Sequence, residues 1–324
     1  MVAAPLALLY PAFLLAFTHP EEYTVLPDET GRTYLIDLRE ENATYSQEEL
    51  QDLYRSELDT ITFTLYTREN LTGELINVND IEALNRSQWN PTRKSKIITH
   101  GWKSNGQNPS CISVLDAYMN TTEDYNVFIM DWNKLAGSLF YFSSARAVPV
   151  VGEYLGAFID FLYYEGNLKY SDVQLVGHSL GAHIVGLAAR KAKGVIPEVV
   201  GLDPALVGFR KSKPGERIDH SDADHVQIIH TTAGTIGFAD SIGKSDFYPN
   251  DGKKQPGCKD FFGVCDHSRA YYYFAESIIS SNGFRASPIN DDKGHVYMGG
   301  SNLDSNAKGS YTLKTNSNSP FALG

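Results

Sequence analysis

The chain has 324 residues, of which 42% are hydrophobic and 21% are charged, and these values are typical of a globular protein with a substantial buried core. Its formal net charge of −11 argues against nucleic-acid binding, because contacts with phosphates need clustered Lys and Arg side chains. The charge argues less strongly against a membrane surface, since a face that contacts lipid can be apolar instead of basic.

The N-terminal residues indicate the compartment of the protein. Residues 2–17 are apolar apart from a tyrosine hydroxyl, and the chain becomes polar at residue 18. The run is short for a membrane span and contains two prolines, so we predict a signal peptide over residues 1–18. An uncleaved anchor is the alternative, because no Lys or Arg precedes the run. Glycosylation sequons that fit a secreted surface begin at Asn42, Asn70, Asn85 and Asn120.

The three cysteines divide into a close pair and a single residue. Cys258 and Cys265 enclose only the segment 259–264, and in an exported protein such a pair predicts a disulfide that clamps a small loop. Loop entropy gives about 2.5 kcal/mol for a ring of eight residues. Two free thiols are the alternative. We expect Cys111 to be a buried, inert thiol, with intermolecular pairing as the other option.

The predicted strands follow a polar segment. Residues 19 to about 60 are acidic, show no strong periodicity and predict a surface segment. Beyond it, short and nearly continuous apolar runs are typical of strands that are covered on both sheet faces. These runs predict strands over residues 96–100, 126–131, 172–176, 198–202 and 226–229, with a short strand near 311–313 in an otherwise irregular C-terminal region.

Helical spacing separates these strands. It predicts helices over 149–164, from Ser179 to Lys193 and from His267 to Ile279. Pro149 is expected in the first turn of its helix, where proline is tolerated. The alternation of strands and helices predicts an α/β domain with a mostly parallel sheet, and the sequence shows no internal repeat.

The pattern Gly177-His178-Ser179-Leu180-Gly181 joins a predicted strand to a predicted helix. This context is that of a nucleophile elbow, a sharp turn that exposes a serine hydroxyl at a helix N-terminus. The flanking glycines are needed because side chains there would collide with the neighbouring strand or helix. The motif predicts Ser179 as the nucleophile, against an incidental glycine-rich turn.

A serine needs a base and an orienting carboxylate, and in this fold they follow it in the order acid, then histidine. Asp203 ends a predicted strand and is the candidate acid, with a turn aspartate as the alternative. Asp131 also ends a strand but precedes the serine. The candidate bases are therefore His220, His225, His230, His267 and His295, of which we favour His267, because the adjacent disulfide would hold its loop in place.

The oxyanion hole needs two backbone N–H donors. One is expected from Leu180, directly after the serine, and the other from Trp102 in the turn that follows the strand 96–100. An ordinary tight turn with a core tryptophan is the alternative reading of this second segment.

Six segments together resemble the pancreatic lipase family, and particularly its insect members and its phospholipase A1 branch. They are Thr99-His100-Gly101-Trp102, Gly177-His178-Ser179-Leu180-Gly181-Ala182-His183, Gly201-Leu202-Asp203-Pro204-Ala205, Asp246-Phe247-Tyr248-Pro249-Asn250, Gln255-Pro256-Gly257-Cys258 and Cys265-Asp266-His267-Ser268-Arg269-Ala270.

The resemblance implies an α/β-hydrolase fold, with a mostly parallel central sheet flanked by helices, as a single catalytic domain over residues 19–324. It implies a triad of Ser179, Asp203 and His267 that cleaves lipid esters, as a phospholipase A1 or a neutral lipase. It further implies a secreted protein that needs no cofactor and meets its substrate at a membrane or lipid-particle surface.

The chain departs from the digestive members of that family in three ways. The segment 259–264 is too short to form their lid, and residues 231–248 also look shortened, which predicts an open cleft with room for a charged headgroup. A C-terminal β-sandwich for colipase is not expected, so no colipase partner is expected. Several family cysteines are missing. The family's calcium loop corresponds to residues 217–222, where only Asp219 and Asp222 match, which leaves few oxygens for a structural calcium ion.

Two other functions remain open at this stage. The yolk proteins of flies resemble this family but lose the nucleophile, so a storage or lipid-binding protein is the alternative to an enzyme. All three predicted triad residues are present here, which favours the enzyme. A peptidase is the third option, but no segment of the sequence indicates a peptide-binding cleft.

Overall fold

The computed structural model describes residues 14–43, 45–280, 283–289 and 294–324. Most of the predicted signal peptide lies outside these ranges. No helix within them is both long enough and apolar enough to span a bilayer.

The N-terminal segment, which the sequence predicts only as a surface segment without strong periodicity, forms a hairpin and a helix. Strands β1 (Tyr23–Pro27) and β2 (Thr33–Asp37) pair antiparallel, and a 3₁₀ turn leads on to helix α1 (Gln47–Leu58). The hairpin turn is organised by Asp28, whose Oδ1 accepts hydrogen bonds from the backbone N–H groups of Thr30 and Arg32 at 2.9 and 3.0 Å. Strands of five residues are too short to show a clear periodicity in the sequence.

Within the described residues the main sheet has eleven strands. They are β3 (Thr62–Thr67), β4 (Asn70–Leu75), β5 (Lys94–Thr99), β6 (Tyr125–Asp131), β7 (Val173–His178), β8 (Glu198–Leu202), β9 (His225–Ile229), β10 (Ser245–Pro249), β11 (Phe284–Pro288), β12 (Val296–Met298) and β13 (Gly309–Leu313). Their spatial order is β12-β11-β13-β10-β9-β8-β7-β5-β6-β3-β4. The central strands from β13 to β6 run parallel, and antiparallel pairs complete both edges.

Helices cover both faces of this sheet. Helices α5 and α6 pack together over one face, and α3 and α7 pack together over the other. The helices that follow α1 are α2 (Ile81–Arg86), α3 (Pro109–Met119), α4 (Asn133–Ala136), α5 (Tyr141–Gly166), α6 (Leu180–Lys191) and α7 (Val264–Ile279).

Successive side chains on the central strands enter different cores. On β5, Ile97 joins the core beneath α5 and α6, and Ile98 joins the core beneath α3 and α7; on β8, Val199 and Val200 divide in the same way. This alternation explains why the strands are nearly continuous apolar runs, since each face of the sheet is buried. The predicted α/β-hydrolase fold is therefore confirmed, while the extent of one catalytic domain over residues 19–324 stays a prediction.

Helix α5 corrects the predicted place of Pro149. The helix begins at Tyr141, so the proline lies in its interior instead of in its first turn. An interior proline removes one backbone hydrogen bond and costs about 3 kcal/mol. The two turns before it bury Tyr141, Phe142 and Ala145 in the core, and this burial offsets that cost.

The contact between β3 and α5 provides a test of the core. The rings of Phe63 and Phe158 stack with centroids 3.7 Å apart, and both side chains are fully buried. We expect Phe158→Ala to lower the free energy of unfolding by about 3–5 kcal/mol, because it removes the ring and leaves a cavity. Urea denaturation measures this change. Phe261→Ala is the control, since that ring is 75% exposed and its loss should change stability by less than about 0.5 kcal/mol. Equal effects of the two substitutions would contradict this account of the core.

Candidate active site

Ser179 lies at the tip of a strained turn between β7 and α6. Its backbone has φ 58° and ψ −121°, a conformation that costs free energy in a residue with a side chain. A Cβ atom at Gly177 would overlap the carbonyl of Gly181, and one at Gly181 would lie 2.5 Å from the carbonyl oxygen of His100. Only glycine therefore fits at these two positions. The local geometry is that of the elbow expected from the sequence.

Asp203 and His267 meet beside this turn. Asp203 follows β8, the strand next to β7, and is completely buried. His267 lies in the first turns of α7, and its Nδ1–H donates to Asp203 Oδ2 at 2.6 Å. The second ring nitrogen, Nε2, is thus left to act on a substrate or a serine.

Hydrogen bonds keep the buried Asp203 carboxylate charged. Its Oδ1 accepts from the backbone N–H groups of Thr231 and Thr232 at 2.8 and 3.1 Å, and its Oδ2 accepts from the Thr232 hydroxyl as well as from His267. Burial by itself would raise the pKa of this carboxyl, but the bonds from His267 and the two threonines outweigh it and hold the pKa below its ordinary value.

The other candidate histidines do not contact Asp203. His230 is buried, with its ring nitrogens 2.8 Å from the carbonyl oxygen of Phe238 and 2.9 Å from Asp246 Oδ1. His225 bonds Ser245, and His295 bonds Ser287. His220 lies close to Asp219. The structure brings only His267 among these five to both the acid and the serine turn.

Ser179 and His267 line one cavity together with Gly101 and Trp102. Leu180 is the first residue of helix α6, and its N–H has no acceptor within that helix because it belongs to the first turn. Both predicted oxyanion donors thus lie beside the serine, on the helix and on the turn after β5.

The turn after β5 is held by His100 and its partners. The His100 ring lies 2.9 Å from Asp131 Oδ1, and the carbonyl of His100 accepts the indole N–H of Trp132 at 2.9 Å. The Trp102 indole donates to Ser138 O at 3.1 Å. Asp131, which precedes the serine in sequence, therefore supports this turn and does not contact His267.

The cavity has walls that sequence reasoning did not identify. The N-terminal hairpin contributes Leu26 and Pro27, and the facing loops contribute Ala205, Ile236 and Val264. The ring of Tyr34 on β2 meets the Trp102 ring edge-on, with centroids 5.0 Å apart, and so anchors the hairpin over the turn after β5. The cleft is therefore bounded by the hairpin and not only by the short loop 259–264.

The cysteines are placed as predicted. Cys258 and Cys265 form a disulfide immediately before His267, so the predicted pairing is confirmed. Cys111 is free and buried in the core beneath α3 and α7. Burial raises the pKa of its thiol well above the ordinary value, which leaves it unreactive.

The candidate calcium residues hold an internal network instead of an open set of oxygens. Asp222 accepts from Arg190 Nε at 2.6 Å and from the Asp219 N–H at 2.7 Å, while Asp219 accepts from the Ser221 hydroxyl at 2.7 Å. In the described residues no group of three or more His, Cys, Asp or Glu side chains is arranged for a metal ion. Because calcium needs six to eight oxygens, this donor set does not fit it.

Sequence reasoning missed three groups beside the cavity. Thr232 supports Asp203, and Glu29 lines the cavity from the hairpin turn. The His178 ring packs against the His267 ring at an interplanar angle of 43°, with centroids 4.3 Å apart. The position of His178, directly before the predicted nucleophile, was the signal in the sequence that could have identified it. Nothing in the sequence near Glu29 indicates that it would reach the serine.

Comparisons with known proteins find a matching family model and several relatives. The family model described as Lipase matches residues 35–321. Phospholipase A1 of Vespula vulgaris is 36% identical over 236 residues, covering 68% of this chain and 69% of that protein. Pancreatic lipase-related protein 2 of Cavia porcellus is 35% identical over 233 residues, covering 70% of this chain and 53% of that protein.

The similar proteins also include an inactive relative and solved structures. Human inactive pancreatic lipase-related protein 1 is 33% identical over 255 residues, covering 71% of this chain and 54% of that protein. Several of these relatives are thus matched over only about half of their own length. Among solved structures, a hydrolase of the alpha/beta superfamily from Xanthomonas campestris has a TM-score of 0.34 at 14% identity, covering 55% of this chain and 96% of that one.

The Asp203 network generates a prediction about pH. Because the folded-state pKa of Asp203 lies below its unfolded value, ionisation stabilises the fold above the ordinary pKa of 3.8, and this contribution is lost as pH falls through the folded pKa. We expect Asp203→Asn to lower the free energy of unfolding by about 1–3 kcal/mol at pH 7, with the deficit shrinking below about pH 4. Urea denaturation over this pH range measures it. Asp240→Asn, at an exposed site, is the control and should show no such trend. A deficit independent of pH would contradict the role given to the ionised carboxylate.

Proposed function

This chain belongs to the pancreatic lipase family, and we propose that it is a secreted serine-dependent hydrolase of lipid esters, acting as a phospholipase A1 or a neutral lipase. One observation carries the proposal. A buried carboxylate, Asp203, holds His267 by a 2.6 Å hydrogen bond in the cavity that Ser179 also lines. A storage protein would have no need to keep an ionised carboxylate, a histidine and a strained serine together.

In the proposed mechanism His267 Nε2 takes the proton of the Ser179 hydroxyl as the serine oxygen attacks the ester carbonyl carbon. Asp203 keeps the proton on Nδ1 and stabilises the imidazolium that forms. The N–H groups of Leu180 and Trp102 receive the oxyanion. Removing one such donor in other enzymes costs about 100- to 1000-fold in rate.

The tetrahedral intermediate then collapses to an acyl-enzyme. His267 gives its proton to the departing alcohol, and the bond between the carbonyl carbon and the alcohol oxygen breaks. Water enters, loses a proton to His267 and attacks the acyl carbon. The bond between that carbon and Ser179 Oγ then breaks, His267 returns the proton to Oγ, and the fatty acid leaves. Every proton is returned within each half of the cycle, so the residues of the chain suffice without a metal or a cofactor.

The lining of the cavity supports a lipid as substrate. Leu26, Ile236 and Val264 offer apolar contacts to an acyl chain. The loop 259–264 is short, and its Phe261 points to solvent with 75% exposure. A short loop leaves space above the serine for a headgroup, which favours a phospholipid over a triacylglycerol.

Secretion has support of its own. The disulfide requires an oxidising compartment. Three of the sequon asparagines are exposed, namely Asn42, Asn85 and Asn120, while Asn70 is half-buried. These positions allow glycosylation of a secreted surface.

An inactive member of the fold is the second candidate. Human inactive pancreatic lipase-related protein 1 is nearly as similar to this chain as the wasp phospholipase A1, so sequence identity alone does not separate the two functions. The geometry around Asp203 and His267 favours the active one.

Covalent labelling tests the catalytic proposal. We expect a fluorophosphonate to label the wild-type protein and to fail with Ser179→Ala and His267→Ala, because the hydroxyl is a weak nucleophile without its base. The matched controls Ser171→Ala and His220→Ala change the same residue types at exposed positions and should label normally. A wild-type protein that neither labels nor cleaves a short-chain ester would support the storage function instead.

Positional hydrolysis tests the substrate class. We expect a phospholipid with two distinguishable acyl chains to release fatty acid from the first glycerol position, faster than a triacylglycerol emulsion does, because the short loop leaves room for the headgroup. Mass spectrometry of the released acids measures both reactions. Activity confined to triacylglycerol would make the chain a neutral lipase.

A further inference from the structure

Glu29 places an unused carboxylate in the cavity that holds Ser179. It follows Asp28 in the hairpin turn, its side chain is 10% exposed, and it lines the cavity. Both of its carboxylate oxygens are buried and have no hydrogen-bond partner among the described residues. A buried carboxylate without partners is costly, so such a group normally has a ligand or a counter-charge.

The group that faces Glu29 is also an acceptor. His178 is buried, and its Nε2–H donates to the carbonyl oxygen of His267 at 3.2 Å. Burial and the neighbouring His267 hold the pKa of His178 well below its usual range, so its ring is neutral and Nδ1 carries a lone pair. This Nδ1 is likewise buried without a hydrogen-bond partner in the described part of the chain.

The distance between the two acceptors defines what can lie between them. His178 Nδ1 and Glu29 Oε1 are 3.8 Å apart, which is too long for a direct hydrogen bond. If a donor atom lies about 2.8 Å from both acceptors, the angle between the two acceptors at the donor is roughly 85–90°. Only an atom with two hydrogens can serve both acceptors, which excludes a hydroxyl. A quaternary ammonium has no N–H and serves neither.

The hairpin holds Glu29 in this position before any ligand binds. Asp28 accepts from Thr30 and Arg32 and from the Tyr34 hydroxyl, so its own carboxylate is satisfied. Tyr34 in turn packs against Trp102. A carboxylate that is fixed in advance loses little conformational entropy on binding.

We infer that Glu29 and His178 form a subsite for the ammonium group of an ethanolamine-type phospholipid. The ammonium gives one N–H to Glu29 Oε1 and a second to His178 Nδ1, and its charge balances the carboxylate. A neutral donor in the same position would bring no charge to balance the carboxylate, which is why the cation is favoured. This inference rests on the proposed function, because the headgroup reaches the subsite only when its ester lies at Ser179.

A series of headgroups tests the subsite. Phospholipids with identical acyl chains and ethanolamine, N-methyl-, N,N-dimethyl- or N,N,N-trimethylethanolamine headgroups differ in the number of N–H groups and keep the charge constant. In mixed micelles we expect the first two to be cleaved similarly and kcat/KM to fall by about tenfold at the dimethyl headgroup, where the second N–H is lost. Equal rates across the series would overturn the inference. They are the result expected if only an ordered water, and no headgroup, lies between Glu29 and His178.

Substitution of Glu29 supplies the second arm. Glu29→Gln should bring the ethanolamine lipid to the rate of the choline lipid when each rate is divided by that of p-nitrophenyl butyrate. That ester has no headgroup, so the division removes any general effect of the substitution on the catalytic residues. Glu21→Gln is the matched control, since it removes the same charge from an exposed position just before the hairpin. A Glu29→Gln protein that loses activity equally on all esters would show a structural role for Glu29 and refute the subsite.

A binding measurement separates failure of the subsite from failure of the proposed function. In Ser179→Ala, dihexanoyl-phosphatidylethanolamine below its micelle concentration should raise Tm, and the choline analogue should raise it less; adding Glu29→Gln should remove the difference. A headgroup difference in Tm without any wild-type esterase activity would keep the subsite and reject the enzyme. Esterase activity without any headgroup difference would keep the enzyme and reject the subsite.

Discussion

The close contact between the serine turn and the turn after β5 is the constraint on which the site depends. The backbone at Gly181 lies so near the His100 carbonyl that a methyl group would not fit, and a side chain at Gly177 would collide with Gly181 itself. This packing holds Ser179 in its strained conformation, because the turn cannot relax without separating the two segments. The same contact brings Trp102 beside Ser179, so the proposed nucleophile and a proposed oxyanion donor line one cavity.

A second constraint is the burial of a charge. Asp203 could not remain ionised in the interior without the donors that surround it, and those donors come from a separate loop after β9. That loop begins next to His230, whose ring is hydrogen-bonded to Asp246, so a buried hydrogen bond supports the backbone that holds Asp203. The acid, its donors and His267 thus form one network that spans three elements of the fold.

The N-terminal hairpin completes the cavity from outside the main sheet. Leu26 and Pro27 at the end of β1 and Glu29 in the following turn line the cavity of Ser179, so a lipid bound there as proposed meets both apolar and charged groups of the hairpin. In the digestive members of the family that this sequence resembles, a long lid lies between the two cysteines before the histidine. Here the corresponding loop is short, and the hairpin supplies the wall in its place.

The sequence by itself determined the elements whose residues carry a local signal. The strands are recognisable as apolar runs because both sheet faces are buried. The elbow is recognisable from its two glycines, and the predicted order of Ser179, Asp203 and His267 follows from the connectivity of the fold. Only the tertiary structure decided which groups meet across the chain. The interior place of Pro149 depends on core burial that propensity does not report, and the two calcium candidates turned out to bond Arg190 and each other. Glu29 and His178 lie close together although they are far apart in sequence. Tertiary packing sets this contact, and no local sequence pattern around either residue predicts it.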